Sequence, residues 1–422
     1  MMRCHLQNTS VHYIGSFLAV LILSCTVITP DARAIPLFAR KYKTTCFTCH
    51  VSEPMLNEFG RRFQANGYRI ANSEPKTPTW DQLPIVLAFA VTPEVTYAHS
   101  RDNITNEVTD SRNFSAYGVD MLTAGDFGSR LSWYGDVTVD PKEGAGIESF
   151  FLIYHVGAFN FTLGKQILRT LFPIQFTLGT TDYLTQSYDS FADASLTNTG
   201  VPIGGTNTLV LEEASYAVSA FGWVPEILNG FRYELAFTSG NSAVDLNDAR
   251  ALFLSADQTI YYANNAPLRV GVWYDTGKQK LYDQDSTGAW SYDGHNNSPW
   301  RLGIGADVYD PWVKRVNLTG QYMIANDDKI YNGTSFGQQR MTGEFLGLTA
   351  ILLPEKMYGY GRWDHKEVNE LNLADTQWTV GLKYHFVPNV FLFGELAFDN
   401  QKIPNQLDKS TTTLSIGTMF AY

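Results

Sequence analysis

From Leu83 onward the chain repeats with a period of two. Leu131, Trp133, Gly135, Val137 and Val139 alternate with Ser132, Tyr134, Asp136, Thr138 and Asp140. Phe231, Tyr233, Leu235 and Phe237 alternate with Arg232, Glu234, Ala236 and Thr238. Trp378, Val380, Leu382, Tyr384 and Phe386 alternate with Thr379, Gly381, Lys383 and His385. This pattern makes β-strands with one apolar, aromatic face and one polar face. About sixteen such segments run to the end, each about 9 to 14 residues, near the length a tilted strand needs to cross a bilayer. They start near Pro84, Arg112, Arg130, Ile147, Phe159, Asn207, Gly230, Arg250, Pro267, Pro299, Val313, Arg340, Lys356, Thr376, Asn389 and Thr411.

The links between segments separate a soluble sandwich from a membrane barrel. After every even segment the link is short: 125–129, 157–158, 222–229, 263–266, 310–312, 354–355 and 387–388. After odd segments the links are mostly longer and polar: 100–111, 239–249, 276–298, 326–339, 365–375 and 400–410, with the longest at 168–206. Short turns at one end and long loops at the other are the outer-membrane pattern, in which the apolar face meets lipid and the polar face lines the lumen. The expected fold is therefore all-β, a transmembrane outer-membrane barrel of about sixteen strands. An even strand count puts both chain ends on the periplasmic, short-turn side. The closing alternation of Leu414, Ile416, Thr418, Phe420 and Tyr422 suits a last barrel strand.

Composition agrees. Of 422 residues only 17% are charged while 14% are aromatic, against about 25% charged in ordinary soluble chains. A net charge of −11 argues against nucleic acid, whose phosphates need a basic face. No apolar run after residue 34 is long enough for a spanning helix.

Residues 1–34 read as a secretory signal: Arg3, then the apolar run Ile14–Val27, then the A-x-A site Ala32-Arg33-Ala34. An uncleaved anchor and an imperfect lipoprotein signal ending at Cys25 are the rival readings. Cleavage removes Cys4 and Cys25 and leaves only Cys46 and Cys49. The expected division is 1–34 signal, 35–80 cytochrome segment and 81–422 barrel.

Cys46-Phe47-Thr48-Cys49-His50 is C-x-x-C-H, the attachment sequence of c-type haem. Two thiols three positions apart reach the two vinyl groups on one side of a porphyrin, and the adjacent imidazole binds the iron as proximal ligand. One covalent haem c is expected on Cys46, Cys49 and His50. A thioredoxin-like pair would need a βαβ context. A zinc site would need more ligands than the next histidine, His99, supplies nearby. A plain Cys46–Cys49 disulfide is the remaining alternative.

The distal ligand is open. Met55 is the one thioether within 35–80 and is a candidate, although it lies only five residues past His50. His99, His155, His295, His365 and His385 could donate from the barrel, and an open or water-bound iron is the other choice. Residues 51–70 are expected to wrap the cofactor as helix, with Leu56, Phe59 and Phe63 on the apolar face and Gly67 as the stop. Arg61 and Arg62 are expected either to pair with propionates or to be solvated. Asp283 to Gly288 resembles the start of a calcium loop, but Gly294 stands where the closing Glu belongs. Neither G-x-x-x-x-G-K nor G-x-S-x-G occurs.

The stretch Ala34-Ile35-Pro36-Leu37-Phe38-Ala39-Arg40, followed by Cys46–His50, Pro54, Leu56, Phe59-Gly60-Arg61, Phe63 and Gly67-Tyr68, resembles the fused monohaem cytochrome–porins of iron-oxidising bacteria. The resemblance covers residues 34–68, and the barrel by pattern alone. It implies an outer-membrane protein, with its haem segment on the periplasmic side or inside the barrel. That protein would take electrons from extracellular Fe(II) and pass them to a periplasmic cytochrome or copper protein. Carboxylates in the expected outer loops (Asp102, Glu107, Asp110, Asp283, Asp285, Asp327 and Asp328) would concentrate Fe(II), unless they are ordinary solvated charge. The alternatives are a selective porin with a haem-based gate or sensor, and electron export to extracellular acceptors.

Overall fold

The computed structural model describes residues 37–70, 86–127, 130–140, 144–168, 187–188, 209–210, 214–224, 230–239, 250–284, 290–331, 336–369, 372–403 and 407–421. The expected signal, the linker at 74–84, almost all of the loop 168–206, Asp285 and the terminal Tyr422 lie outside them.

The alternating segments close into one antiparallel barrel of sixteen strands. In chain order they are β1 Val86–Asp102, β2 Val108–Asp126, β3 Leu131–Asp140, β4 Gly144–Val156, β5 Phe159–Ile167, β6 Ala214–Val224, β7 Phe231–Thr238 and β8 Arg250–Tyr261. They continue with β9 Pro267–Gln284, β10 Trp290–Asn297 with Trp300–Tyr309, β11 Val316–Tyr331, β12 Phe336–Leu353, β13 Met357–Val368, β14 Leu373–Val387, β15 Val390–Ile403 and β16 Leu407–Ala421. The last strand pairs with the first, from Lys409↔Asp102 to Ala421↔Ala90. Antiparallel closure of this kind leaves no strand edge and requires an even number of strands. It also brings the start of β1 and the end of β16 to the same rim.

The two faces divide as the alternation demands. On β14, Trp378, Val380 and Leu382 are 56%, 54% and 51% exposed, whereas Thr379, Lys383 and His385 are 1%, 3% and 1%. A soluble core would have inverted these values. The apolar face is outermost, as a lipid-facing wall requires.

The long links are shorter than the sequence suggested. The segment 276–298 is mostly a hairpin in which β9 runs on to Gln284 and β10 begins at Trp290. β10 is interrupted only at Ser298-Pro299, where Pro299 offers no N–H and its carbonyl accepts from the Gly277 N–H at 3.1 Å. The segments 326–339 and 400–410 are likewise largely strand.

Ahead of the barrel, residues 37–70 form a small folded plug. Helix α1 is Leu37–Tyr42, a single 3-10 turn covers Cys46–Thr48, a hairpin pairs His50–Ser52 with Met55–Leu56, and helix α2 is Glu58–Ala65. The expected helical wrap over 51–70 is thus helical only across 58–65. Gly67 does end it, at a left-handed φ of 72°. A Cβ at Gly67 would also strike Asn160 Oδ1 and the His155 ring at 2.6 Å, so the same glycine lets the helix end close on the barrel wall.

The plug sits within the short-turn end. Its contacts all fall beside the short links. Lys41 pairs with Asp126 at 2.7 Å. Asn160, which bonds His155 across the 157–158 turn, donates to the Ala65 carbonyl at 3.1 Å. Arg62 donates to the Tyr261 hydroxyl at 2.6 Å. Ser52 bonds His385 at 2.7 Å. A stack of Phe38, Tyr68, Tyr134 and Phe151 joins plug to wall with ring centroids 5.3 to 5.9 Å apart.

Candidate functional site: a cavity between plug and wall

Cys46, Cys49 and His50 open onto one cavity of about 630 Å³. Its plug side is formed by Leu37, Phe38, Leu56, Gly60, Phe63 and Tyr68, and its barrel side by Ala88 and Ala90 of β1, Leu122, Tyr134, Phe151, and Met419 and Ala421 of β16. The volume lies within the roughly 300–1,000 Å³ of pockets that take cofactor-sized ligands, and the lining is mainly apolar with few polar groups, as such pockets are.

One residue organises the motif. Asn57 caps α2 by accepting from the Gly60 N–H at 2.9 Å. Its Nδ2 donates to the carbonyls of Phe47 and Thr48, both at 3.0 Å. Its backbone N–H donates to the Cys49 carbonyl at 2.9 Å. The helix therefore rests directly on the C-x-x-C-H turn, and a Cβ at Gly60 would overlap the Cys49 carbonyl oxygen. The only sequence signal for Asn57 was its place as a capping residue ahead of an apolar run.

The electrostatics set the state of the three donors. Both thiols are free. Burial, reinforced by the nearby Glu53, raises the Cys46 thiol far above its usual range. Burial pushes Cys49 up to about 11. Neither is the low-pKa thiolate that thioredoxin-like exchange requires. Burial lowers His50, so its imidazole is neutral at pH 7 and free to bind a metal. Its buried Nδ1 has no hydrogen-bond partner of good geometry. Among the described residues no group of three or more His, Cys, Asp or Glu could hold a metal ion, so the zinc reading gains nothing. Two neutral thiols and a neutral imidazole on the wall of an apolar cavity fit a covalently attached porphyrin.

Other expected site residues lie elsewhere. Met55 is wholly buried among Tyr309, Tyr358 and Tyr360, with Phe47 and Val51 against it, and does not line the cavity. Tertiary packing places this thioether in the Tyr309, Tyr358 and Tyr360 cluster and away from the cavity. Arg61 is buried 3.8 Å from Asp307, and Arg62 pairs with Glu58 at 2.9 Å, so neither faces the cavity. Phe59, expected on the apolar face of α2, is 40% exposed. Of the barrel histidines, His155 bonds Ser132 and Asn160, His385 bonds Ser52, His365 bonds Thr376, and His99 pairs with Asp110. None lines the cavity. The side chain of His295 is outside the described residues.

Asp327, expected in an outer loop, is buried in β11, bonded to Asn297 at 2.7 Å and paired with Arg301 at 3.4 Å. Asp328 lies on the same strand and accepts from the Ser298 N–H. Asp102 accepts the backbone N–H groups of Ile104 and Thr105 and so holds a turn. Glu107 and Asp110 are exposed. The side chain of Asp283 is outside the described residues.

Comparison with solved structures places the barrel. The anion-selective porin from Comamonas acidovorans superposes with a TM-score of 0.52 at 12% identity, covering 80% of this chain and all of the porin. The outer membrane channel DcaP of Acinetobacter baumannii gives 0.55 at 12%, covering 82% and 99%. The trimer form of OmpT, an outer membrane protein of Vibrio cholerae, gives 0.51 at 10%, covering 80% and 99%. The fold is porin-like. At such identities the likeness concerns the fold alone. No protein-family model matches the sequence, and no curated protein matches it.

Proposed function

We propose that this chain is an outer-membrane electron-transfer protein that carries one covalent c-type haem in its plug. It takes electrons from extracellular Fe(II) and hands them to a periplasmic cytochrome or copper protein. The observation that carries this reading is the position of the C-x-x-C-H turn, which lies inside the lumen and opens onto a cavity shared with the barrel wall. A passive pore has no use for two thiols and an imidazole in that setting, and a diffusing cytochrome has no use for the wall.

Haem in this cavity would supply one-electron chemistry. Cys46 and Cys49 would tether it and His50 would bind its iron. Asn57 and Gly60 fix the turn. The stack of Phe38, Tyr68, Tyr134 and Phe151 excludes water on the wall side. With the short-turn end in the periplasm, the half-exposed Arg62, which bonds Tyr261 beside the 263–266 link, lies toward the compartment of the acceptor. Inward-facing Arg301, Asp364 and Asp375 are almost fully buried, so the lumen near them is filled by its own side chains. That favours a conduit over a wide aqueous pore.

Stopped-flow mixing of the purified haem-loaded protein with Fe(II) tests the donor. Reduction of the haem within the turnover time is expected, and no reduction on that scale removes the Fe(II) reading. The porin likeness favours a second reading, a selective pore with a haem-based gate. It requires solute-sized conductance in a reconstituted bilayer that changes with the redox state. Reduction of a bound acceptor from outside, with no response to Fe(II), would instead indicate electron export.

A further inference from the structure

We infer that Met419, on the last barrel strand, is the distal ligand of the haem held by Cys46, Cys49 and His50. The inference rests on the proposed haem and adds a ligand from the opposite end of the chain. Met419 is the one thioether among the cavity-lining residues, and His50 is their only imidazole. Methionine opposite histidine is a pairing that raises the potential of c-type cytochromes.

A chain of contacts also links the strand of Met419 to the motif. Met419 pairs in register with Phe391. The Phe391 ring lies 5.1 Å from the His385 ring, which lies 5.1 Å from the ring of Phe47 within the C-x-x-C-H turn. Around Met419 the wall is cut back: Ala421 follows on the same inward face, and Ala88 and Ala90 lie across the β16–β1 closure. Three alanines beside one long, unbranched and adaptable side chain leave room for the sulfur to reach into the cavity. Met55 has no such freedom, because Tyr309, Tyr358 and Tyr360 enclose it.

Ligation of this kind makes the wall part of the cofactor site. Met419 and His50 would then hold the group from β16 and from the plug together, so withdrawal of the plug would cost a ligand.

The test uses full-length holoprotein in detergent. The oxidised wild type is expected to show the far-red sulfur-to-iron charge-transfer band, and its absence overturns the inference. Met419→Leu keeps the volume nearly unchanged. It is expected to retain covalent haem while losing the band and lowering the reduction potential. Met419→His is expected to give the low-spin spectrum of two imidazoles, which a packing role would not produce. Met55→Leu should leave band and potential as they are. A Met419→Leu holoprotein with the wild-type spectrum and potential overturns this assignment alone. A folded barrel without covalent haem overturns the haem reading together with it.

Discussion

Asn57 ties the carbonyls of Phe47, Thr48 and Cys49 to the Gly60 N–H at the start of α2. Asn57→Ala strips the carbonyls of Phe47 and Thr48 of their donor and uncaps α2. Each buried hydrogen bond lost costs about 1–3 kcal/mol where a polar group is left unpaired, and a lost cap about 1 kcal/mol. The variant is expected to hold less haem per barrel, read as the ratio of Soret to protein absorbance. Gly60→Ala should do the same for a steric reason, since its Cβ meets the Cys49 carbonyl. Glu58 gives a pH dependence. Burial alone would raise its carboxyl, but Arg269, Arg61 and Arg62 outweigh that and hold it below its ordinary value of 4.5. Its native value is depressed, so its contribution is complete above 4.5 and is lost as pH falls through the lower native value. Plug docking should therefore weaken below about pH 4.5, seen as protease cleavage of residues 37–70 in acid but not at neutral pH. At this scale the C-x-x-C-H motif was legible from its spacing, and the structure brings Cys46, Cys49 and His50 onto one cavity. Asn57 and Met419 were not legible, because one acts through backbone carbonyls and the other reaches the same cavity only after the barrel closes.

The elements were legible wherever lipid imposes the pattern. Phe159, Arg250 and Pro267 begin their strands as the alternation indicates. The upper parts of β9 and β10 escaped notice because a strand that rises past the hydrocarbon has no apolar face to display. Their sequence, rich in Gly, Asp and Asn, reads as loop. The plug obeys a third rule: its outer surface packs on a polar lumen, so charges hold it. Arg269 is the pivot, bonded to Asp307 at 2.8 Å and paired with Glu58 at 3.4 Å. Arg269→Leu leaves Asp307 buried near too little positive charge and removes one of the partners of the partly exposed Glu58. Breaking a buried pair from one side costs about 3–5 kcal/mol. The variant should keep a folded, heat-modifiable barrel while its plug becomes accessible to protease.

As a whole the molecule is a porin-like wall whose short-turn end is closed by its own N-terminal segment. A chain lacking residues 37–70 should still close its barrel, because the sixteen strands pair without help from the plug. Its single-channel conductance should exceed that of the intact protein several-fold, and equal conductance would contradict the plug's position. The central claim, that the plug carries haem through Cys46, Cys49 and His50, is tested most directly by the mass and visible spectrum of the folded barrel. For this the full-length protein is produced with a cytochrome c maturation system. The account predicts a Soret band and one haem that stays with the chain through denaturation, both lost when Cys46 and Cys49 become alanine. A correctly folded barrel with the bare chain mass and no Soret absorbance would contradict it.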